Sequence, residues 1–388
     1  MYKKITVFSV LAVIIGVGYF ATLLFTPAQQ LNTYFQYSHE ETASLSTLSS
    51  PLTMESADVY RWDRASFDLM RQGTEVPVTG FDPNATRIYA YLAVAKRDAA
   101  FLSFNSKQHF EGSLDPVMRD VICLFFQYQC GQVSANIKTD EYSEKLASLV
   151  IVKIKRRMAE DKSMTHEYER KIGPDHWSGP SPMVGLADGS AKTWLIESGS
   201  QFRVPPPPLS DSPAFKEQVT LAQKAREGAT SAQKQATVFW AGGPGTKTTP
   251  GIWLNIADQY MEDKKIPLET VLRVHSVLSI TMADVNIAVF DSKYTYWVKR
   301  PFMVISGFTT IMPTPNHPSY PAGHSGLSSA AGTVLTHFFP EDKDQWTKRA
   351  EEGGLSRVWG GIHFPMDHEA SVVLGKKVAK TALGKFPE

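Results

Sequence analysis

Cysteine is nearly absent, since Cys123 and Cys130 are the only two in 388 residues. That scarcity excludes a disulfide framework and a cysteine-built zinc or iron–sulfur site. Seven positions apart on one continuous helix, the two would lie about 10 Å from each other, too far to bridge. Both are therefore expected as buried small hydrophobes. A charge excess is missing too: Lys+Arg 40 against Asp+Glu 39 leaves +1. A general nucleic-acid binder would be strongly basic, so that class is set aside. Alternating strand patterns of useful length and internal repeats are also lacking, which leaves no basis for a sheet or a solenoid. What remains is a chain that is 43% hydrophobic, enough to bury a sizeable core.

Lys3 and Lys4 precede an uncharged apolar run, Ile5 to Phe25, whose 21 residues would span roughly 30 Å as a helix. No Lys or Arg follows until Arg61, so the positive-inside rule places the lysines in the cytoplasm and the rest outside. Residues 5–25 are an inner-membrane anchor if uncleaved. A signal peptide cleaved near Thr26-Pro27-Ala28 is the other reading. Both readings export the bulk of the chain to the periplasmic, extracytoplasmic side.

Past this anchor or signal segment (1–28), residues 29–57 are Ser/Thr-rich without apolar periodicity and read as a tether. Helical patterns follow over Thr86–Phe104, Asp115–Gln129 and Glu141–Met158, giving an N-terminal helical region, 58–204. Residues 205–213 hold Pro205-Pro206-Pro207-Pro208 and read as a semi-rigid connector. A C-terminal catalytic region, 214–388, resumes the helical signal at Pro213, and Leu268–Val298 carries no glycine at all. The fold class is all-α, in helical bundles.

Three segments near the C-terminus carry chemistry. Lys293 and Arg300 are seven apart, which on a helix would place both cations on one face. Pro318-Ser-Tyr-Pro-Ala322-Gly323-His324-Ser325 leads into a small-residue helix whose start offers N–H groups to an anion. Arg357 precedes His363 and Asp367, spaced so that the carboxylate can hold Nδ1–H and turn Nε2 outward. Each residue alone has a bland reading: a solvated helix charge, a surface ion pair, a loop histidine, a structural hydrogen bond. Together they supply three cations, a backbone nest, a free histidine (His324) and an oriented one (His363). That inventory suits a tetrahedral oxyanion with one apical ligand. Gly242–Thr248 lacks true phosphate-loop spacing, Gly323-His324-Ser325-Gly326 is no nucleophile elbow, and Asp367-His368-Glu369 has no HExxH.

The segments match the pattern K-x6-R-P, P-S-G-H, S-R-x5-H-x3-D, with Ala322 where the pattern has serine. The sequence thereby resembles the type 2 phosphatidic acid phosphatase (PAP2) and vanadium-dependent haloperoxidase superfamily. Phe239-Trp-Ala-Gly-Gly-Pro-Gly-Thr-Lys-Thr-Thr-Pro-Gly-Ile-Trp253 and Ser198-Gly-Ser-Gln-Phe-Arg203 before the prolines are similar to segments of its bacterial haloperoxidase branch. The resemblance spans 198–367 and implies that Lys293, Arg300, Ala322, Gly323, Arg357 and His363 hold vanadate, or phosphate in a phosphatase. It further implies His363 as the vanadium ligand, His324 as acid–base, and Phe290 and His317 on the halide side; Asp367 joins the catalytic group as the carboxylate that orients His363. The implied activity is halide oxidation with hydrogen peroxide. The alternative is phosphomonoester hydrolysis through a phosphohistidine at His363.

Overall fold

The helical periods of the sequence are realised as thirteen α-helices among the described residues, 31–72 and 82–386 of a computed structural model. The apolar run 5–25 lies outside the described residues. In chain order the helices are α1 (His39–Ser46), α2 (Ser56–Gln72), α3 (Asp82–Lys107), α4 (Asp115–Phe125), α5 (Cys130–Ser134) and α6 (Glu141–Met164). After a long irregular stretch come α7 (Pro213–Glu227), α8 (Ser231–Phe239), α9 (Thr248–Asp263) and α10 (Leu268–Tyr296). The chain closes with α11 (Gly323–Phe338), α12 (Lys343–Trp359) and α13 (Pro365–Lys385). No strand occurs among the described residues, only an isolated bridge between Thr53 and Glu111. The all-α expectation holds.

The organising element is α10. Every residue from Val274 to Tyr294 is buried, because the helix is apolar on all sides and is covered on all sides. It packs on α3 on the one hand and on α11 and α13 on the other. By length and composition α10 could cross a membrane, yet here it is the core helix. One continuous hydrophobic core thus joins residues before and after the proline connector, from Tyr89 and Tyr91 to Leu327 and Leu374. The connector itself is docked: Tyr296 donates to the Val204 carbonyl at 2.7 Å and Tyr320 to that of Pro205 at 2.8 Å.

One cluster of buried charge inside the core is fully paired. His275 of α10 bridges Asp63 of α2 at 3.0 Å and Asp258 of α9 at 2.6 Å, while Lys96 of α3 pairs with Asp63. Burial opposes the imidazolium, but the two carboxylates outweigh it and lift His275 to a pKa of about 9. Two cations thereby face two carboxylates where four helices meet, which is how buried charge is tolerated.

Two expectations are corrected here. Residues 29–57 are no tether over their described part. Ser38 and Glu41 form a capping box that starts α1, and Leu45 is fully buried. Upstream, Asp98 accepts from the Tyr34 and Phe35 amides at 2.6 and 3.0 Å and from the Tyr37 hydroxyl. The segment is held by backbone-to-carboxylate bonds, which leave no apolar period to read. Cys123 and Cys130 are not buried hydrophobes either; they form a disulfide with Cα atoms 4.9 Å apart. The distance argument assumed one helix, whereas α4 stops at Phe125 and a turn brings Cys130 back.

This crosslink closes a short loop, worth about 2–3 kcal/mol on a chain-entropy account. Exported protein, denatured without reductant, is expected to show no titratable thiol. Cys123→Ser should lower unfolding stability by at most that amount, and finding two free thiols would overturn the pairing.

Candidate active site

The site assembles where α10 ends. Trp297 takes a left-handed conformation (φ 54°) at the α10 C-cap and Arg300 is extended. Lys293 and Arg300 therefore do not share a helix face as their spacing suggested; the chain folds back and brings them together. Both are fully buried. Lys293 Nζ donates to the carbonyls of Pro318 and Ser319 at 2.9 and 2.8 Å. Arg300 donates to the carbonyls of His317 and Ile362 at 3.0 and 2.7 Å. Arg357, on the last turn of α12, is equally buried and donates to the Thr237 carbonyl at 2.6 Å. It also contacts Ser356 Oγ and Met312 Sδ.

His363 sits in the turn between α12 and α13. Its Nδ1 lies 2.8 Å from Asp367 Oδ2, and its Nε2 lies 3.0 Å from an Arg300 guanidinium nitrogen. Arg300 can only donate, so Nε2 presents its lone pair and Nδ1 carries the hydrogen. The Nδ1–Asp367 contact expected from the spacing is present, while Nε2 is turned onto Arg300. Asp367 Oδ2 also accepts from Ser319 Oγ at 2.5 Å and from the Phe364 amide at 3.1 Å. Burial pushes the Asp367 carboxyl up to about 6 against these bonds.

His324, at the start of α11, is not the free histidine expected. Its Nε2 lies 2.8 Å from the Trp240 carbonyl and 2.9 Å from Thr249 Oγ1. A carbonyl only accepts, so Nε2 carries the hydrogen and Nδ1 is the basic nitrogen. Thr248, just before Thr249, is held at φ 66°, a costly conformation for a β-branched residue and a mark of enforced positioning.

Ala322 is fully buried and its amide donates to the Asp367 carbonyl at 3.0 Å, tying α11 to α13. A Cβ on Gly323 would meet nothing within 4 Å, so space opens beside the first turn of α11, whose N–H groups lack intrahelical acceptors. His317 Nδ1 lies 2.9 Å from the remaining Arg300 nitrogen, and Phe290 stands edge-to-face on its ring at 5.3 Å. All ten residues singled out in the sequence thus belong to one neighbourhood. Those it missed are the supports: Ser319, Thr249, Thr237, Met312 and the Trp240 carbonyl. His368 turns away from any Asp367-His368-Glu369 cluster, its Nδ1 lying 3.0 Å from Ser325 Oγ.

Comparison with known proteins agrees with this architecture. Residues 274–384, from α10 to α13, match the PAP2 superfamily model. The fold is shared with a bacterial vanadium-dependent iodoperoxidase at a TM-score of 0.65 and 18% identity, covering 87% of this chain and 98% of that one. A holo-type bacterial vanadium-dependent chloroperoxidase gives 0.60 and 15%, covering 92% and 97%. By sequence, a non-specific acid phosphatase of Providencia stuartii is 27% identical over 190 residues, which is 46% of this chain and 71% of that one. An undecaprenyl-diphosphatase of Sulfolobus acidocaldarius is 29% identical over 123 residues, 31% of this chain and 55% of that one.

The electrostatics make a proton-linked prediction. Burial with Arg300 and Lys293 pushes His363 well below its ordinary pKa. Burial with Arg357 does the same to His324, and burial with Lys293 and Arg300 to His317. Lys293 is pushed down by burial and Arg300. A bound dianion opposes this field and raises all four, so binding must take up protons and strengthen as pH falls. Sulfate, whose own charge is constant in this range, is expected to bind more tightly at about pH 6 than at about pH 8. Isothermal titration in buffers of different ionisation heat reads both effects. Affinity that is flat or rises with pH would contradict the account.

Proposed function

We propose that the protein is a vanadate-dependent haloperoxidase that oxidises halide with hydrogen peroxide. The carrying observation is the environment of His324. The Trp240–Thr249 segment, one of those similar to the haloperoxidase branch, grips its Nε2, and the site keeps the ring neutral, ready to accept a proton.

The residues present fit a tetrahedral oxyanion: three fully buried cations, open space at Gly323, and one hydroxyl fewer than the pattern because of Ala322. Lys293, Arg300, Arg357 and Gly323 would hold its oxygens, with His363 Nε2 as the ligand. Bound vanadate would supply Lewis-acid activation of peroxide. His324 Nδ1 takes the peroxide proton as general base. Asp367, itself held by Ser319, fixes the His363 tautomer, so Nε2 keeps the lone pair that Arg300 occupies here and that the anion would take in its place. Phe290 and His317 form the wall on the halide side. The Cys123–Cys130 disulfide and the N-terminal apolar run support an oxidising, extracytoplasmic place of action.

A phosphatase reading is favoured by the acid phosphatases among the sequence relatives. There His363 Nε2 attacks phosphorus, forming phosphohistidine, and His324 gives its proton to the leaving oxygen before water cleaves the P–N bond. That role needs a protonated His324, which the anion-free site opposes.

Phosphate-stripped protein incubated with orthovanadate is expected to oxidise iodide weakly. Ala322→Ser should tighten vanadate retention about 10- to 150-fold, the worth of one buried hydrogen bond, and raise the rate. His363→Ala should abolish turnover while helicity is kept, and Asp367→Asn should lose about 10- to 100-fold. Phosphomonoester hydrolysis by vanadate-free protein, inhibited by vanadate and with no halide oxidation, would replace this reading with the phosphatase.

A further inference from the structure

A second cleft lies against the backbone that holds His324. Its volume is about 530 Å³, within the range of small-molecule sites. Arg71 of α2, Lys247 of the loop before α9 and Arg349 of α12 line it, and no Asp or Glu does so among the described residues. Three cations from three separate elements thus converge on one opening. Lys247 rests on Asn255 and lies 5.0 Å over the Phe67 ring, and it forms no ion pair among the described residues. Burial and then Arg71 push its ammonium below the ordinary lysine value, as expected of cations crowded together. Arg349 is exposed and forms no ion pair among the described residues. Arg71 alone is compensated, by Asp68 at 2.9 Å.

The rest of the lining is apolar. Phe239 contributes a ring that is 56% exposed, an unusual state for a large hydrophobe beside a site, and Ile252 adds an aliphatic wall. The floor is Gly242, with φ 60°. A Cβ there would stand 2.6 Å from Thr249 Oγ1 and 3.4 Å from His324 Nε2. The cleft and the His324 imidazole are therefore separated by the backbone of a single glycine.

We infer that this cleft is a subsite for an aromatic anion, the carboxylate or phosphate of an organic substrate paired to Lys247 and Arg349 and its ring laid on Phe239 and Ile252. The charges choose the head and the exposed ring chooses the body. As a place for the organic acceptor of oxidised halide, the subsite rests on the function proposed above. As an anion-binding cleft it does not.

The test is binding, with the central site filled. Full-length protein saturated with phosphate is titrated with 2-naphthoate and with the neutral 2-naphthamide. Naphthoate should bind more tightly than the amide and weaken as salt is raised. Arg349→Glu, on an exposed helix face where folding is not at stake, should weaken naphthoate about tenfold or more and leave naphthamide within about twofold. Arg71→Glu, from a different helix, should act in the same direction. Naphthoate binding no tighter than naphthamide, or equally tight in both charge-reversed proteins, overturns the subsite. If naphthoate behaves as expected while the vanadate-loaded protein oxidises no halide, the subsite stands and the peroxidase reading falls. If halide is oxidised but naphthoate fails these tests, the reverse holds.

Discussion

Lys293, Arg300 and Arg357 are completely buried, and the first two lie in the field of one buried carboxylate, Asp367. Water cannot solvate these cations, so their N–H groups must end on protein acceptors or the fold is lost. The acceptors are mainly main-chain carbonyls: Pro318, Ser319, His317, Ile362 and Thr237. Carbonyls with outward lone pairs exist only where helices stop. This explains why the site is built from helix ends and turns although helices are the main regular structure of the protein. The left-handed Trp297, the start of α11 at Gly323 and the turn after Trp359 are each requirements of the cation cage.

Such a cage needs a rigid support, and α10 provides it. Three of its ionisable side chains meet partners on other elements. His275 joins α2 and α9 through Asp63 and Asp258. Asp284 accepts from the Trp194, Leu195 and Ile196 amides. Asp291 takes Arg203 in a two-pronged ion pair and Tyr168 besides. The irregular stretch before the prolines is thus pinned along the helix that carries Phe290 and Lys293. The segment that holds His324 begins at the C-cap of α8 and runs into α9, which the His275 cluster anchors. Site and core are one mechanical unit.

Much of this was legible in the sequence, for identifiable reasons. Long helices announce themselves by period, and α3, α6 and α10 fall close to where the pattern places them. The site residues were legible because charged and imidazole side chains at fixed spacing are rare. The reason offered for one pair was nevertheless wrong: Lys293 and Arg300 converge through a broken helix, not along a continuous one. What stayed invisible depends on contacts between distant segments. Thr249 and Ser319 look like any loop hydroxyls until folding sets one against His324 and the other against Asp367. The stretch before α2 looked flexible because carboxylates of α3 and its neighbours hold it by backbone amides. The disulfide was hidden by the same mistake of extending a helix through a turn.

Ala322 is the one departure from the superfamily pattern within the site, and the cage shows how far its effect can reach. The neighbouring hydroxyls are all engaged: Ser319 by Asp367 at 2.5 Å, Tyr320 by the Pro205 carbonyl at 2.8 Å, and Ser325 by His368 Nδ1 at 3.0 Å. No side-chain hydroxyl from this segment is therefore left over for an anion at Ala322. The loss is one hydrogen bond from a hydroxyl to the anion. Three basic side chains, each with several N–H donors, are held in position by carbonyls whether or not an anion is present. Affinity for an oxyanion thus resides mainly in the cations, whose placement is already enforced by the folded core, while the residue at 322 adjusts its strength. The backbone of Ala322 still does its structural part, since its amide ties the start of α11 to the Asp367 carbonyl. A methyl group at this position therefore alters the anion's hydrogen bonding without loosening the groups that receive it.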